Sequence, residues 1–286
     1  MKPYYEGWYM KHQQGDDVLA VIPGRAQDSA FIQIITSSAS HFVAYPLEDF
    51  RQDGIMRIGS SVFAQNGMDV DVRTPDVELV GRLRYRGHIP LRYDIMGPFA
   101  LLPMETKHTV FSMRHRVEGS ISLDDSVMRF TEGLGYMEGD RGCSFPRSYL
   151  WAQSMDFAED ASVMVAIAEI PLPGVRFTGC IAIVWLDGRE YRLATYLGVH
   201  VLEASSTAVH LAQRGLDLRI ELPEPQGRRL QAPQQGAMER SIHESPDVPA
   251  RFRFAKDDRT LLESPCARTS FEIVSPEAAE RTASFA

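Results

Sequence analysis

The chain has 286 residues, 44% of them hydrophobic, with 38 acidic against 30 basic side chains and a net charge of −8. That length and apolar content are enough to bury a substantial core, either as two ordinary domains or as one large all-β unit. The acidic balance argues against a nucleic-acid partner, because phosphate binding needs clustered Lys and Arg, and Arg228-Arg229 is too short a basic run to supply them.

No apolar stretch approaches the ~20 residues of a membrane-spanning helix, and the opening Met1–Glu6 lacks the apolar run of a secretory signal. The expectation is a cytoplasmic protein whose contact with a membrane is at most peripheral. Cys143, Cys180 and Cys266 are far apart and form no Cys-x-x-Cys pair, which points to reduced thiols and not to a disulfide framework or a zinc site.

Along the chain the dominant hydrophobic period is two. Phe31–Ile35 and His41–Tyr45 read as a strand pair, and Asn66-Gly67 before Met68–Val72 is a two-residue hairpin signal. Val77, Leu79, Leu83 and Tyr85 alternate with Glu78, Arg82 and Arg84, the pattern of a half-buried strand. Asp124-Asp125 separates Ser120–Leu123 from Val127–Phe130, and Asp187-Gly188 separates Ile181–Trp185 from Tyr191–Leu193, giving two more hairpins. Leu216, Leu218, Ile220 and Leu222 alternate with Asp217, Arg219 and Glu221. Pro223–Gly236, rich in proline, glycine and glutamine, reads as a surface excursion, and Ser275–Ala286 as a loose tail. No long helical periodicity interrupts this series. The pattern predicts antiparallel β structure, as barrels or sandwiches, without deciding between two barrels and one larger sandwich.

The densest cluster of chemically capable residues is Gly135–Gln153 (GYMEGDRGCSFPRSYLWAQ). Its Tyr136, Glu138, Asp140, Gly142, Phe145, Pro146, Tyr149, Trp151 and Gln153 follow a pattern that resembles the central motif of the tocopherol cyclase family. Tyr5–Lys11 (YEGWYMK) resembles that family's opening, and Tyr93–Phe99, Ser112–Arg116, Phe177–Cys180 and Ile242–Ser245 read like its bacterial members, so the likeness spans nearly the whole chain. The resemblance implies two lipocalin-like antiparallel β-barrel or sandwich domains, residues 1–130 and 131–275, followed by a tail at 276–286, with the central motif at the junction. It also implies acid-catalysed intramolecular cyclisation of a prenylated quinol or a similar apolar small molecule. Two departures bear on this: Arg141 stands where the family usually has tryptophan, and Gly139 where it usually has lysine. They leave open a different ligand, a carrier without chemistry, or a related reaction such as terpenoid hydration.

Such a cyclisation delivers a proton to an alkene, shields the resulting cation from water and takes the proton of the attacking phenol, with no redox cofactor. A carboxylic acid raised by apolar burial is a suitable donor, which makes Glu138 the first candidate and Asp140 the second. The bland alternative is that both carboxylates cap turns or pair with Arg141 and Arg147. His115 and His243 are candidates to relay or accept a proton, or else simply bond backbone carbonyls inside a barrel; His41 and His108 rank below them. Tyr136, Tyr149, Trp151 and Trp8 are candidates to line a pocket or hold a cation against their π faces, and Arg141 to contact a polar head group. Trp8 reads equally as a plug closing a barrel core. No histidine or cysteine falls at zinc-like spacing and no glycine-rich phosphate loop precedes a helix, so neither a metal nor a nucleotide cofactor is expected.

Overall fold

The structure, a computed structural model, describes residues 4–172, 175–223, 228–234 and 236–274. Among them the regular elements are β-strands and three short 3-10 turns, in agreement with the period-two reading. The chain forms two compact units: Met1–Leu91 with Thr106–Ser144 and Leu230–Ser241, and Arg92–Glu105 with Phe145–Arg229 and Ile242–Ala286.

The first unit begins with β1 (Tyr5–Gln14), β2 (Asp17–Arg25), β3 (Ser29–Thr36) and β4 (Ser40–Pro46), a meander of neighbouring antiparallel strands. Short β5 (Phe50–Gln52), β6 (Met56–Ile58) and β7 (Ser61–Ala64) lead into β8 (Gly67–Arg73) and β9 (Glu78–Arg86). The long strands β10 (Thr106–Leu123) and β11 (Ser126–Gly142) complete an eleven-stranded sheet in the order β4-β3-β2-β1-β11-β10-β9-β8-β7-β6-β5. The sheet curls into a nearly closed barrel, bringing β6 against β2 and β3. Its interior is filled by Met10, Leu19, Val21, Ile32, Ile34, Phe63, Leu83, Val117 and Met137.

The second unit contains β12 (Tyr149–Ser154), β13 (Ala161–Leu172), β14 (Val175–Leu186), β15 (Arg189–Ala194), β16 (His200–Ala204), β17 (Ala208–Gln213) and β18 (Leu216–Glu221). With β19 (Arg228–Gln234), β20 (Ala237–Lys256) and β21 (Arg259–Val274) these make a ten-stranded sheet, ordered β15-β14-β13-β12-β21-β20-β18-β17-β16, with β19 on β20; the Leu230–Ser241 part of β19 and β20 is counted with the first unit. Its core includes Leu150, Ala152, Val163, Val165, Val184, Phe252, Phe254 and Phe271.

The hairpins read from Asn66-Gly67, Asp124-Asp125 and Asp187-Gly188 are all formed, with Asp124 at φ 50° and Asp187 at φ 47° in the left-handed region that aspartate tolerates. Two expectations are revised. Residue 130, the anticipated domain boundary, lies inside β11, whose pairing with β10 and β1 runs on to Gly142, and the chain, after an earlier excursion of Arg92–Glu105 into the second unit, leaves the first at Ser144. Within the anticipated surface excursion, Arg228–Gln234 is a strand with Leu230 and Ala232 buried, and Gln231 exchanges two hydrogen bonds of 2.9 Å with the Gln33 side chain. The tail at 276–286 lies outside the described residues.

Gly139, where a lysine was anticipated from the resemblance, is a matter of space. A Cβ there would lie 2.8 Å from Phe111 Cε2 and 3.0 Å from Trp8 Cδ1, two rings that pack edge to face at 5.6 Å. Trp8 therefore belongs to the apolar interior of the first unit, as the plug reading had it. Overpacking of this kind costs about 1–3 kcal/mol. Gly139→Ala is expected to lower the stability of the protein to urea by about that amount, and an unchanged midpoint would show that the two rings have room to yield.

The same interior holds a buried histidine. His12 Nδ1 lies 3.1 Å from the Leu19 carbonyl, which can only accept, so Nδ1 carries the proton and Nε2 accepts from the Tyr85 hydroxyl at 2.6 Å. Burial, opposed by the Leu19 bond, lowers its pKa to about 4 from 6.5. The unfolded chain therefore binds a proton that the folded protein refuses across this interval, so stability falls as pH drops from 6.5 towards 4, by about 3 kcal/mol from this group. Urea titrations across that range are expected to show the decline, and His12→Gln to flatten it.

Candidate functional site

The Gly135–Gly139 segment of β11 is buried on both faces, and alternation assigns its residues to two environments. Met137 points to the apolar core of the first unit, while Tyr136, Glu138 and Asp140 share the opposite face. Registers with the neighbouring strands complete that face. On β1, Gly7, Tyr9 and Lys11 stand opposite Asp140, Glu138 and Tyr136; on β10, His108 stands opposite Asp140 and Val110 opposite Glu138. Tyr136 and Lys11 are 0% exposed, Glu138 5% and His108 9%, so this is a polar surface without water over most of its extent. The Asp140 side chain, 23% exposed, is the member that reaches solvent.

His108 is the centre of the arrangement. Its Nδ1 lies 3.0 Å from Asp140 Oδ1 in a hydrogen bond, and its Nε2 lies 3.3 Å from Glu138 Oε2. The second contact has ion-pair distance but not the alignment of a hydrogen bond, so the Nε2 proton is only loosely held by Glu138. Ionised carboxylates only accept, so a ring facing one from each nitrogen is doubly protonated. Burial alone would lower the pKa of His108 and is the largest single influence, but the charges of Glu138 and Asp140 and the hydrogen bond to Asp140 outweigh it and hold the pKa well above 6.5.

Tyr136 donates its hydroxyl to Glu138 Oε2, the same oxygen that faces His108. Burial, then the Glu138 charge and hydrogen bond, push this phenol well above its usual value of 10, so it remains a donor. Lys11 brings a second cation to a face that carries two carboxylates, which makes the formal charge of the set zero. That balance is what buried charge requires. At the start of the strands, Tyr5 donates to Thr106 Oγ1 at 2.8 Å, and Thr106 in turn donates to the Ser144 carbonyl at 2.5 Å, fixing the end of β1 against β10.

The structure brings together Glu138, Asp140 and Tyr136 from the sequence candidates. The environment of Glu138 is not the purely apolar pocket anticipated for a lone acid, since its near neighbours are an imidazolium and a phenol. His115 lies elsewhere. It faces the barrel interior, with its ring 4.6 Å from Tyr85 and stacked 4.9 Å from His88, in a space that Gly135 leaves by having no Cβ. His243 is on β20, and its side chain lies outside the described residues. Arg141 is exposed and belongs to the face of β11 opposite Asp140, in register with Glu6 and Lys107. Tyr149 and Trp151 lie on β12 of the second unit, where the Tyr149 hydroxyl donates to Glu272.

His108 was ranked low in sequence because 32 residues separate it from Asp140, and only the β10–β11 register reveals their contact. Its position two residues after Thr106 in an otherwise ordinary strand carries no local signal. The ligand atoms of His108, Glu138 and Asp140 lie within 4.8 Å of one another, a grouping that spacing in the sequence does not reveal. A metal would need one histidine nitrogen and both carboxylates converging on one point. Here each nitrogen instead faces a different carboxylate, which is the geometry of a proton relay.

No family model matches the sequence, and no curated protein matches it. Solved structures do. The chain is similar to CghA in its crystal structure with Sch210972, at a TM-score of 0.61 and 12% identity over 96% of this chain and 89% of that one. It is similar to kievitone hydratase from Nectria haematococca at a TM-score of 0.57 and 9% identity, covering 96% and 89%. A putative AttH from Nitrosomonas europaea matches at a TM-score of 0.53 and 8% identity, covering 95% and 92%. The chain therefore has the all-β, lipocalin-like two-barrel fold of these proteins.

The His108 arrangement has a consequence for stability. Because the folded protein holds this proton more tightly than the unfolded chain does, the stabilisation is complete below 6.5 and is lost as pH rises through the elevated pKa. Alkaline unfolding curves are expected to show this loss in the wild type, and His108→Gln to be less stable at neutral pH with a flatter alkaline limb.

Proposed function

We propose that the protein is an enzyme acting on a small, largely apolar molecule by proton transfer, and that it cyclises a prenylated quinol or a related hydroxyl-bearing alkene. The observation that supports this most directly is the relay Asp140–His108–Glu138–Tyr136, a stored proton held between two carboxylates on a buried face. Glu138, with the proton supplied through His108, protonates the alkene. The adjacent tertiary cation is captured by the substrate's hydroxyl oxygen, forming the C–O bond while the O–H bond breaks. The released proton returns to the relay, so substrate and product are isomers and no oxidant or reductant is consumed. Tyr136 steadies Glu138 through both steps, and Asp140 keeps His108 oriented.

CghA and kievitone hydratase, named for or crystallised with small molecules, are consistent with small-molecule chemistry on this fold. Asp140 favours a second reading. Its partial exposure gives water a route to the relay, and water in place of the hydroxyl oxygen would turn cyclisation into hydration of the same alkene.

The test uses purified protein and a geranylated methylhydroquinone in heavy water, followed by mass spectrometry. Cyclisation gives an isomer carrying one carbon-bound deuteron, hydration gives a product heavier by one molecule of heavy water, and a carrier returns the substrate unchanged. Glu138→Gln and His108→Gln are each expected to lower turnover by about 10²–10⁴-fold, the usual contribution of a general acid or base, with binding retained. Wild-type rates in both variants would remove the relay from the reaction.

A further inference from the structure

The second unit also has a buried face that is not its apolar core. On β12 the core takes Leu150 and Ala152, which leaves Trp151 and Gln153 on the opposite side. Register extends this side across the sheet as one row, Ser270, Gln153, Met164, Ile183 and Arg192, contributed by β21, β12, β13, β14 and β15. In the next row Glu272 stands beside Trp151. Arg192 pins the segment Tyr93–Met96 through the carbonyls of Tyr93 and Asp94, both at 2.9 Å, and Tyr196 donates to the Ile95 carbonyl at 2.9 Å.

Gln153 is the anomaly in this row. It is 0% exposed, and among the described residues neither its amide oxygen nor its amide nitrogen has a hydrogen-bond partner. Ser270, directly opposite, donates to the Pro246 carbonyl. An unmet buried polar atom costs about 1–3 kcal/mol, and Gln153 carries two of them where leucine or methionine would carry none. Most buried polar groups in folded proteins are satisfied, so a doubly unmet amide points to a partner that comes from outside the chain. Its neighbours suit that role. Met164, opposite Gln153 on β13, is a thioether that repacks readily around an incoming group, and Trp151 offers a flat aromatic surface two residues away on the same strand.

We propose that Gln153 is the hydrogen-bonding element of a small-molecule site on this face, and that it recognises a neutral planar group with a donor beside an acceptor, such as a carboxamide, a lactam or an enolised dicarbonyl. The amide oxygen accepts from the ligand and the amide nitrogen donates to it, while Trp151 lies against the ring. A neutral ligand is favoured because the charges of this face are already matched, Arg192 by Glu190 and Glu272 by the Tyr149 hydroxyl, which leaves none to balance a charged ligand. The proposal is independent of the proton relay, since it is read from binding and stability and not from turnover.

Benzamide is the probe, with toluene as a ring lacking the donor and acceptor. On nitrogen-15-labelled protein, the Gln153 side-chain amide and the Trp151 indole are followed by NMR during titration, and Gln153→Leu and Gln153→Met are compared by thermal unfolding. The expected result is saturable benzamide binding that shifts both signals, at least tenfold weaker binding in both variants, unchanged toluene binding, and unfolding temperatures equal to or above the wild type. Failure of the wild type to bind benzamide overturns the proposal. So does a lowered unfolding temperature in both variants with benzamide affinity intact, which would assign the amide to a bound water or a structural role.

Discussion

Burial of both faces of β11 over Gly135–Gly139 is the constraint on which the rest of the first unit depends. A strand covered on one side alone can present polar residues to water, but this one cannot, and every ionisable group on its second face must find compensation within the protein. Met137 and Gly139 satisfy the first face by packing. Tyr136, Glu138 and Asp140 satisfy the second only because β10 delivers His108 and β1 delivers Lys11 to the same surface. The long pairings of β1, β10 and β11 thus do two jobs: they join the N-terminal meander to the rest of the sheet, and they assemble a neutral set from four charged side chains. Removing one cation would leave a carboxylate buried without its partner, a far larger disturbance than loss of a surface ion pair.

Two histidines of this unit, His12 and His108, show how position sets protonation. His12 lies in the apolar interior with a carbonyl and a phenol for company, and burial strips its proton. His108 is equally enclosed but faces a carboxylate from each nitrogen, and keeps it. Their linkages have opposite sign, one weakening the fold towards acid and the other towards alkali. The neutral range between them is where the relay is both charged and structurally supported.

Much of the architecture was legible because strand alternation and turn chemistry are local. Asp124, Asp187 and Asn66-Gly67 mark hairpins through residues that accept left-handed or glycine-dependent geometry, and each hairpin is present. The cluster at Tyr136, Glu138 and Asp140 was visible for the same reason, since residues two apart on a strand share a face. What local pattern could not supply was the partner across the ladder. His108 and Glu138 meet through register, and register in a sheet of this size is fixed by pairings over tens of residues. Two bulge-like shifts between Val110 and His115 further break the correspondence between sequence parity and facing direction on β10. The strand at Arg228–Gln234 escaped for a different reason: its proline and glutamines read as a loop, and Gln33 on β3 supplies the side-chain hydrogen bonds that hold Gln231 in place.

The non-core faces of the two units differ in one physical respect that bears on function. Around Glu138 every formal charge has a counter-charge, and hydrogen bonds link tyrosine to carboxylate and carboxylate to histidine, so the site is organised before any ligand arrives. Such preorganisation is what proton transfer requires, because the donor and acceptor must not spend energy rearranging as charge moves. Around Gln153 the opposite holds: the amide is enclosed beside the adaptable Met164 and unmatched among the described residues, and its hydrogen-bonding capacity is uncommitted. Uncommitted polar capacity in a dry setting favours recognition over catalysis, since it rewards a ligand that supplies the missing pair and penalises one that does not. The first face thus meets the physical requirement of the proton transfer proposed for it, and Gln153 meets that of the recognition proposed for the second.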